Sequence, residues 1–223
     1  MGIFTGSDLT CIRSERRVFS GLDFSLGDGG ALVLTGPNGS GKSSLLRIMA
    51  GLLPPAAGSL VWNGEATSND PEAHGGRLHY AGHLDAVKPM LSVAENISFW
   101  ASLRNNVPDL QSCVAEAMQA FDILHLAEVP GRFLSAGQKR RVNLARILAA
   151  SAPLWLLDEP TTALDRATID GLEKIITRHR EKGGMVVIST HSEMKLDNIK
   201  ILDLGTYSSS GPMKEQWDMA AAV

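Results

Sequence analysis

Eight consecutive residues, Gly36-Pro37-Asn38-Gly39-Ser40-Gly41-Lys42-Ser43, combine backbone freedom, one cation and a terminal hydroxyl. Glycines permit a tight backbone that aims successive N–H groups at phosphate oxygens, so this spacing suits a loop that holds a nucleoside triphosphate. Lys42 can reach the β- and γ-phosphates as a mobile point charge, and the Ser43 hydroxyl, followed by Ser44, can ligate Mg²⁺. The motif has meaning only with a strand before it and a helix after it, because the helix N-terminus adds partial positive charge at the phosphates. Residues 31–34 read as the strand and 44–53 as the helix, carrying Leu45, Leu46, Ile48 and Met49. A glycine-rich turn without nucleotide is the alternative for the motif taken alone.

Three further segments bear on the same chemistry. Leu154-Trp155-Leu156-Leu157-Asp158-Glu159 is an apolar run that ends in two carboxylates, as a strand buried on both faces does. Asp158 can hold the Mg²⁺ shell, and Glu159 can orient or deprotonate the water that attacks the γ-phosphate. Two solvated acids at an exposed strand end would give the same run. Leu134-Ser135-Ala136-Gly137-Gln138 precedes 139–150, where Val142, Leu144, Ile147 and Leu148 fall at near-helical spacing. Ser135 is a good N-cap on any account, and a plain Ser-capped helix is the alternative there. Met185-Val186-Val187-Ile188-Ser189-Thr190-His191 delivers a histidine to the carboxyl end of another buried strand, where ligands bind in open α/β sheets. Lone histidines are otherwise structural or solvated.

The elements that must position these groups read as three lobes within one domain, 1–223. Residues up to about 30, with 58–62, read as short strands of a small antiparallel sheet. Residues 84–150 are mainly helical and inserted in the core: 92–103 opens with Ser92 followed three residues later by Glu95, a capping pattern, and 110–126 carries apolar residues at helical spacing. Strands at 78–81, 31–34, 154–157, 185–190 and 199–204 build a parallel core sheet, giving an α/β fold of the P-loop NTPase kind. The tail after Gly205 is Ser-rich and then weakly amphipathic.

Composition narrows the partners. The 223 residues carry a net charge of −3 and no basic tract, which argues against nucleic acid. Cys11 and Cys113 lack metal-ligand spacing and read as thiols of a reducing compartment. The longest apolar stretch, 147–157, is too short to span a bilayer, and the N-terminus lacks a signal-peptide pattern. With Gly6 where Ser or Thr is wanted, it also fits myristoylation poorly. The expected place is the cytosol, with any membrane contact made through a partner.

Taken in order, the motifs resemble the ATP-binding subunit of ABC transporters across nearly the whole chain. The phosphate loop, the LSGGQ-like Leu134-Ser135-Ala136-Gly137-Gln138, the Asp158-Glu159 strand end, the Ala163-Leu164-Asp165 turn and the switch histidine His191 follow that family's sequence. The resemblance implies an ABC-type ATPase fold, ATP with Mg²⁺ on Ser43 and Asp158, and Glu159 and His191 as catalytic residues. It also implies an ATP-dependent homodimer that meets head to tail, so the signature of one copy serves the ATP of the other.

Tyr80-Ala81-Gly82-His83-Leu84-Asp85-Ala86-Val87-Lys88-Pro89 with Leu91-Ser92-Val93-Ala94-Glu95-Asn96 looks like the CcmA group, as does the Ala in the signature. That resemblance implies haem export, or release of a haem-loaded chaperone, in cytochrome c maturation, with a CcmB-like polytopic partner, and narrows the expected place to the cytoplasmic face of the inner membrane. His83 stands at the Q-loop position, where most relatives have a glutamine. Arg13 stands where transport ATPases usually place an aromatic under the adenine; it is either a stacking plane or a solvated strand residue. A soluble assembly factor of the iron–sulfur scaffold type, or an ATPase for another small substrate, are the alternatives.

Overall fold

Runs of Leu, Val and Ile without polar interruption need cover on both faces, and a parallel sheet provides it. The structure, a computed structural model, describes residues 2–104, 107, 109–191 and 193–207. Along the chain lie β1 (Ile3–Arg13), β2 (Arg16–Gly27), β3 (Ala31–Thr35), α1 (Lys42–Met49), β4 (Ala57–Trp62), β5 (Glu65–Ala66), α2 (Pro71–Gly76) and β6 (Leu78–Ala81). There follow α3 (Val93–Ser102), α4 (Leu110–Ala120), α5 (Ala136–Leu148), β7 (Leu154–Asp158), α6 (Arg166–Glu181), β8 (Met185–Ser189) and β9 (Ile199–Asp203). The parallel sheet has the order β6-β7-β8-β3-β9, and a second, antiparallel sheet the order β2-β1-β4-β5.

Every residue of β7 and β8 is buried. Their side chains alternate between two apolar clusters, as strand geometry requires. Trp155, Leu157, Val186 and Ile188 pack with Ile97, Val114, Ile147 and Ile176 of the helices. Leu154, Leu156, Met185 and Val187 pack with Leu45, Leu46, Ile48 and Met49 of α1 and with Phe4, Phe19 and Phe24 of the antiparallel sheet. The register sets Asp158 opposite Ser189 and Ser189 opposite Leu34, so the strand ends that carry the motifs lie along one edge.

Several boundaries differ from the sequence-based expectation. The antiparallel strands are long, 11 and 12 residues for β1 and β2, and not short. Their hairpin turns at Ser14 and Glu15, both left-handed (φ 45° and 64°), the turn a right-twisted hairpin favours. No Asn-Gly or Asp-Gly pair marks it. The helix expected to run to 126 stops at Ala120, because Asp122 takes φ 53°, and Leu124–Leu126 is a separate 3₁₀ turn. α1 stops at Met49, short of 53, with Gly51 left-handed just beyond. α6, 16 residues long, is the largest element the sequence reading did not assign: Leu172 and Ile176 are its buried apolar residues among many charges. The expected Ser92–Glu95 capping box is present, with Glu95 N–H donating to Ser92 Oγ at 3.2 Å and Ser92 N–H to Glu95 Oε2 at 2.7 Å. The tail beyond 207 lies outside the described residues.

Candidate functional site

The loop between β3 and α1 is built as its glycines suggest. Gly36, Gly39 and Gly41 have φ of 124°, 82° and 102°, conformations a Cβ would strain. Lys42, 8% exposed, folds back over the loop, its Nζ donating to the carbonyls of Gly36 at 2.8 Å and Pro37 at 3.3 Å. Ser40 Oγ is buried without a hydrogen-bond partner. The Ser44 hydroxyl donates to the Cys11 sulfur, although burial still pushes the thiol pKa up. A cavity of about 510 Å³ opens over the loop, lined by Asn38, Gly39, Gly41, Lys42, Ser43 and Ser44, and also by Val18, His83, Glu159, Thr162 and His191.

At the end of β7 the two carboxylates have separate environments. Asp158 is 1% exposed; Ser189 Oγ donates to its Oδ1 at 2.5 Å, while Oδ2 is buried with no partner. An orphaned buried carboxylate oxygen is costly and invites a cation. Together with the Ser43 hydroxyl at the cavity wall, it fits the donor set Mg²⁺ takes in this kind of loop. Among the described residues no group of three or more His, Cys, Asp and Glu side chains could hold a metal alone, so a Mg²⁺ here would take nucleotide phosphate and water as its other ligands. Glu159 is half-buried and left-handed, φ 50°. Its Oε1 lies 3.5 Å from Nε2 of the exposed His191. That is long for a formed hydrogen bond, and such contacts shorten when the reacting group is bound.

The Leu134–Gln138 segment lies outside this cavity. Leu134 is buried and Ser135 exposed. Ser135 makes a full capping box: Gln138 N–H donates to its Oγ at 3.2 Å, and its own N–H donates to Gln138 Oε1 at 2.9 Å. A Cβ on Gly137 would meet the Ala163 carbonyl at 2.8 Å, whereas exposed Ala136 tolerates its methyl. So the signature glycine packs against the Ala163-Leu164-Asp165 turn of its own chain. Asp165 closes that contact. Its Oδ1 caps α6 by accepting from Thr168 N–H at 2.8 Å, and its Oδ2 accepts from Arg141 at 2.5 Å. The Thr168 hydrogen bonds hold its pKa below the usual carboxylate value, with Arg141 assisting.

The structure thus brings together the phosphate loop, His83, Glu159 and His191, with Asp158 buried beside Glu159. It leaves the signature and the Ala163-Leu164-Asp165 turn outside. Arg13 is exposed at the last position of β1, and Val18 of β2 lines the cavity instead. Val18 and Thr162 carried no motif, and Ser189 and Arg140 stood in quoted segments without a role of their own. Only Ser189 left a signal, a hydroxyl that breaks an apolar strand.

Comparison with known proteins gives the family. Residues 19–162 match the ABC transporter family. The chain is 60% identical to the cytochrome c biogenesis ATP-binding export protein CcmA of Rhodospirillum rubrum, covering 92% of this chain and 87% of that one. It is 58% identical to the CcmA protein of Paramagnetospirillum magneticum, covering 92% and 95%. A solved ABC transporter ATP-binding protein from Pyrococcus furiosus superposes with a TM-score of 0.79 at 25% identity, covering 93% of this chain and all 100% of that one. Among the described residues no helix is long and apolar enough to cross a membrane.

Proposed function

Since the chain belongs to the ABC transporter family and, within it, to the CcmA group, we propose that it hydrolyses ATP at composite sites shared by two copies and so drives a membrane partner in cytochrome c biogenesis. It is an ATPase, the ATP-binding subunit of an ABC transporter. The residue roles follow from the site. Lys42 exchanges the Gly36 and Pro37 carbonyls for phosphate oxygens. Ser43 and Asp158 would hold Mg²⁺, which would supply positive charge against the transferring phosphoryl group. Glu159 accepts a proton from water as the water oxygen bonds the γ-phosphorus. The bond to the bridging oxygen breaks, ADP leaves with that electron pair, and the proton passes to the released phosphate. His191 orients the Glu159 carboxylate.

One observation carries this reading: Lys42, Ser43, Glu159 and His191 converge on one cavity from three strand ends, while Ser135 lies outside it. The exposed Ser135 cap and first turn of α5 form a second anion site, which has a use when another copy brings a phosphate. Exposed Leu84, Met90, Phe99 and Phe133 on the inserted region support a polytopic, CcmB-like partner. Held by such a partner, the subunit would work on the cytoplasmic face of the inner membrane, with haem export or release of a haem-loaded chaperone as the output.

The test is Glu159→Gln, followed by ATP turnover and sedimentation. Turnover should fall by about 10²–10⁴-fold, the contribution of a general base, with ATP and a closed dimer trapped. Hydrolysis within about threefold of the unmodified protein would remove Glu159 from that role.

A further inference from the structure

Arg140 sits on the inner side of α5 at 3% exposure, and its guanidinium is taken up by the chain around the catalytic groups. Nη2 donates to the carbonyls of Asp158 and Glu159, both at 2.6 Å, and Nε to that of Pro160 at 3.4 Å. Nη1 donates to the Gly82 carbonyl at 2.9 Å and to Asp85 Oδ1 at 3.1 Å, where Asn143 Nδ2 also donates at 3.1 Å. Only a planar fork with five donors serves acceptors in two directions at once. One set of acceptors brackets Glu159; the other, Gly82 and Asp85, brackets His83.

Glu159 needs such support. A left-handed φ of 50° is unfavourable for a residue with a Cβ and persists only where its surroundings over-determine it. The Glu159 N–H donates to Ser189 O at 3.0 Å and is 3.2 Å from Ser189 Oγ, so β8 holds one side of the residue. Arg140 holds the other side through the Glu159 carbonyl. The guanidinium does not line the cavity.

We propose that Arg140 is a positioning residue: it clamps the Glu159 and His83 segments to α5, so that the carboxylate direction depends on the helix that begins at the signature. The proposal rests on Glu159 being the general base. Each copy's α5 would then link the phosphate it meets in the other copy to the base of its own site.

The experiment measures turnover, ATP KM and single-turnover rates for Arg140→Gln and Arg140→Lys, alone and combined with Glu159→Gln. Arg140→Gln should lower kcat by at least about 30-fold with KM within about twofold, since misplacing a reacting group by an ångström costs on the order of 10²-fold. Arg140→Lys keeps the charge but loses the fork and should recover part of that loss. In the Glu159→Gln background, with no base left to position, Arg140→Gln should cost nothing further. A kcat for Arg140→Gln within about threefold of the unmodified protein overturns the proposal, as does a double variant whose losses multiply as for independent sites. If Arg140→Gln does not fold, the same comparison with Arg140→Lys decides. Unimpaired hydrolysis by Glu159→Gln alone would overturn the base assignment instead, so the two failures are distinguishable.

Discussion

A single methyl group separates the two small residues of the signature in effect. Gly137→Ala would drive a Cβ to 2.8 Å from the Ala163 carbonyl, on a turn whose Ala163 is already left-handed at φ 63°. ATP turnover should fall by about 10²-fold, the cost of an ångström-scale displacement, while Ala136→Gly stays within about threefold. Parallel assays of the two variants check this; equal rates would show that the signature does not lean on that turn. His83 is the other residue-scale case, an exposed side chain in a cavity shared with Glu159 and His191. His83→Gln should preserve hydrolysis, and His83→Ala should lower it by about 10²-fold, the low end of a positioned proton-transfer group. Partner-stimulated hydrolysis that is unchanged in His83→Ala would leave His83 no role.

At the scale of elements, β6 carries a buried histidine with a pH signature. His79 Nε2 donates to the Ala150 carbonyl at 2.7 Å, leaving Nδ1 as an acceptor 3.4 Å from Arg104 Nη2. Burial lowers its pKa to about 4, with Arg104, Arg146 and His179 adding charge against protonation. A histidine whose folded pKa is depressed costs nothing above its unfolded value of about 6.5; below it the unfolded chain takes up a proton that the folded chain refuses. Stability should therefore fall between pH 6.5 and about 4, by up to about 3 kcal/mol from this group. Burial lowers the pKa of His74 and His179 too, and both act in the same direction. Denaturant titrations of His79→Gln should show a shallower loss over that window, and an unchanged slope would contradict the assignment.

The same scale shows what a sequence gives up and what it keeps. Lys42, Ser43, Asp158 and Glu159 were legible because phosphate chemistry dictates both type and spacing, and the strands that carry them are buried on both faces. Arg140 was not, since its partners lie 18 to 58 residues away in the chain and nothing local marks a buried guanidinium. α6 was hidden by its many charges, and Asp165, read as part of a turn, is also its cap. The β1–β2 hairpin was hidden by an unusual Ser-Glu turn and by bulges in its pairing.

For the whole molecule, the central claim is that each ATP is held by two copies, because Ser135 lies outside the cavity of its own chain. Trapped ATP per dimer tests it directly, in the Glu159→Gln background, for chains that also carry Ser135→Arg or Lys42→Ala. Neither variant alone should trap ATP, since every composite site in those dimers is damaged. A purified heterodimer of the two has one site with an intact phosphate loop and an intact signature, and it should trap about one ATP, as a two-fold symmetric head-to-tail dimer requires. A heterodimer that traps none, or a Ser135→Arg dimer that traps as much as the Glu159→Gln parent, would contradict the shared site.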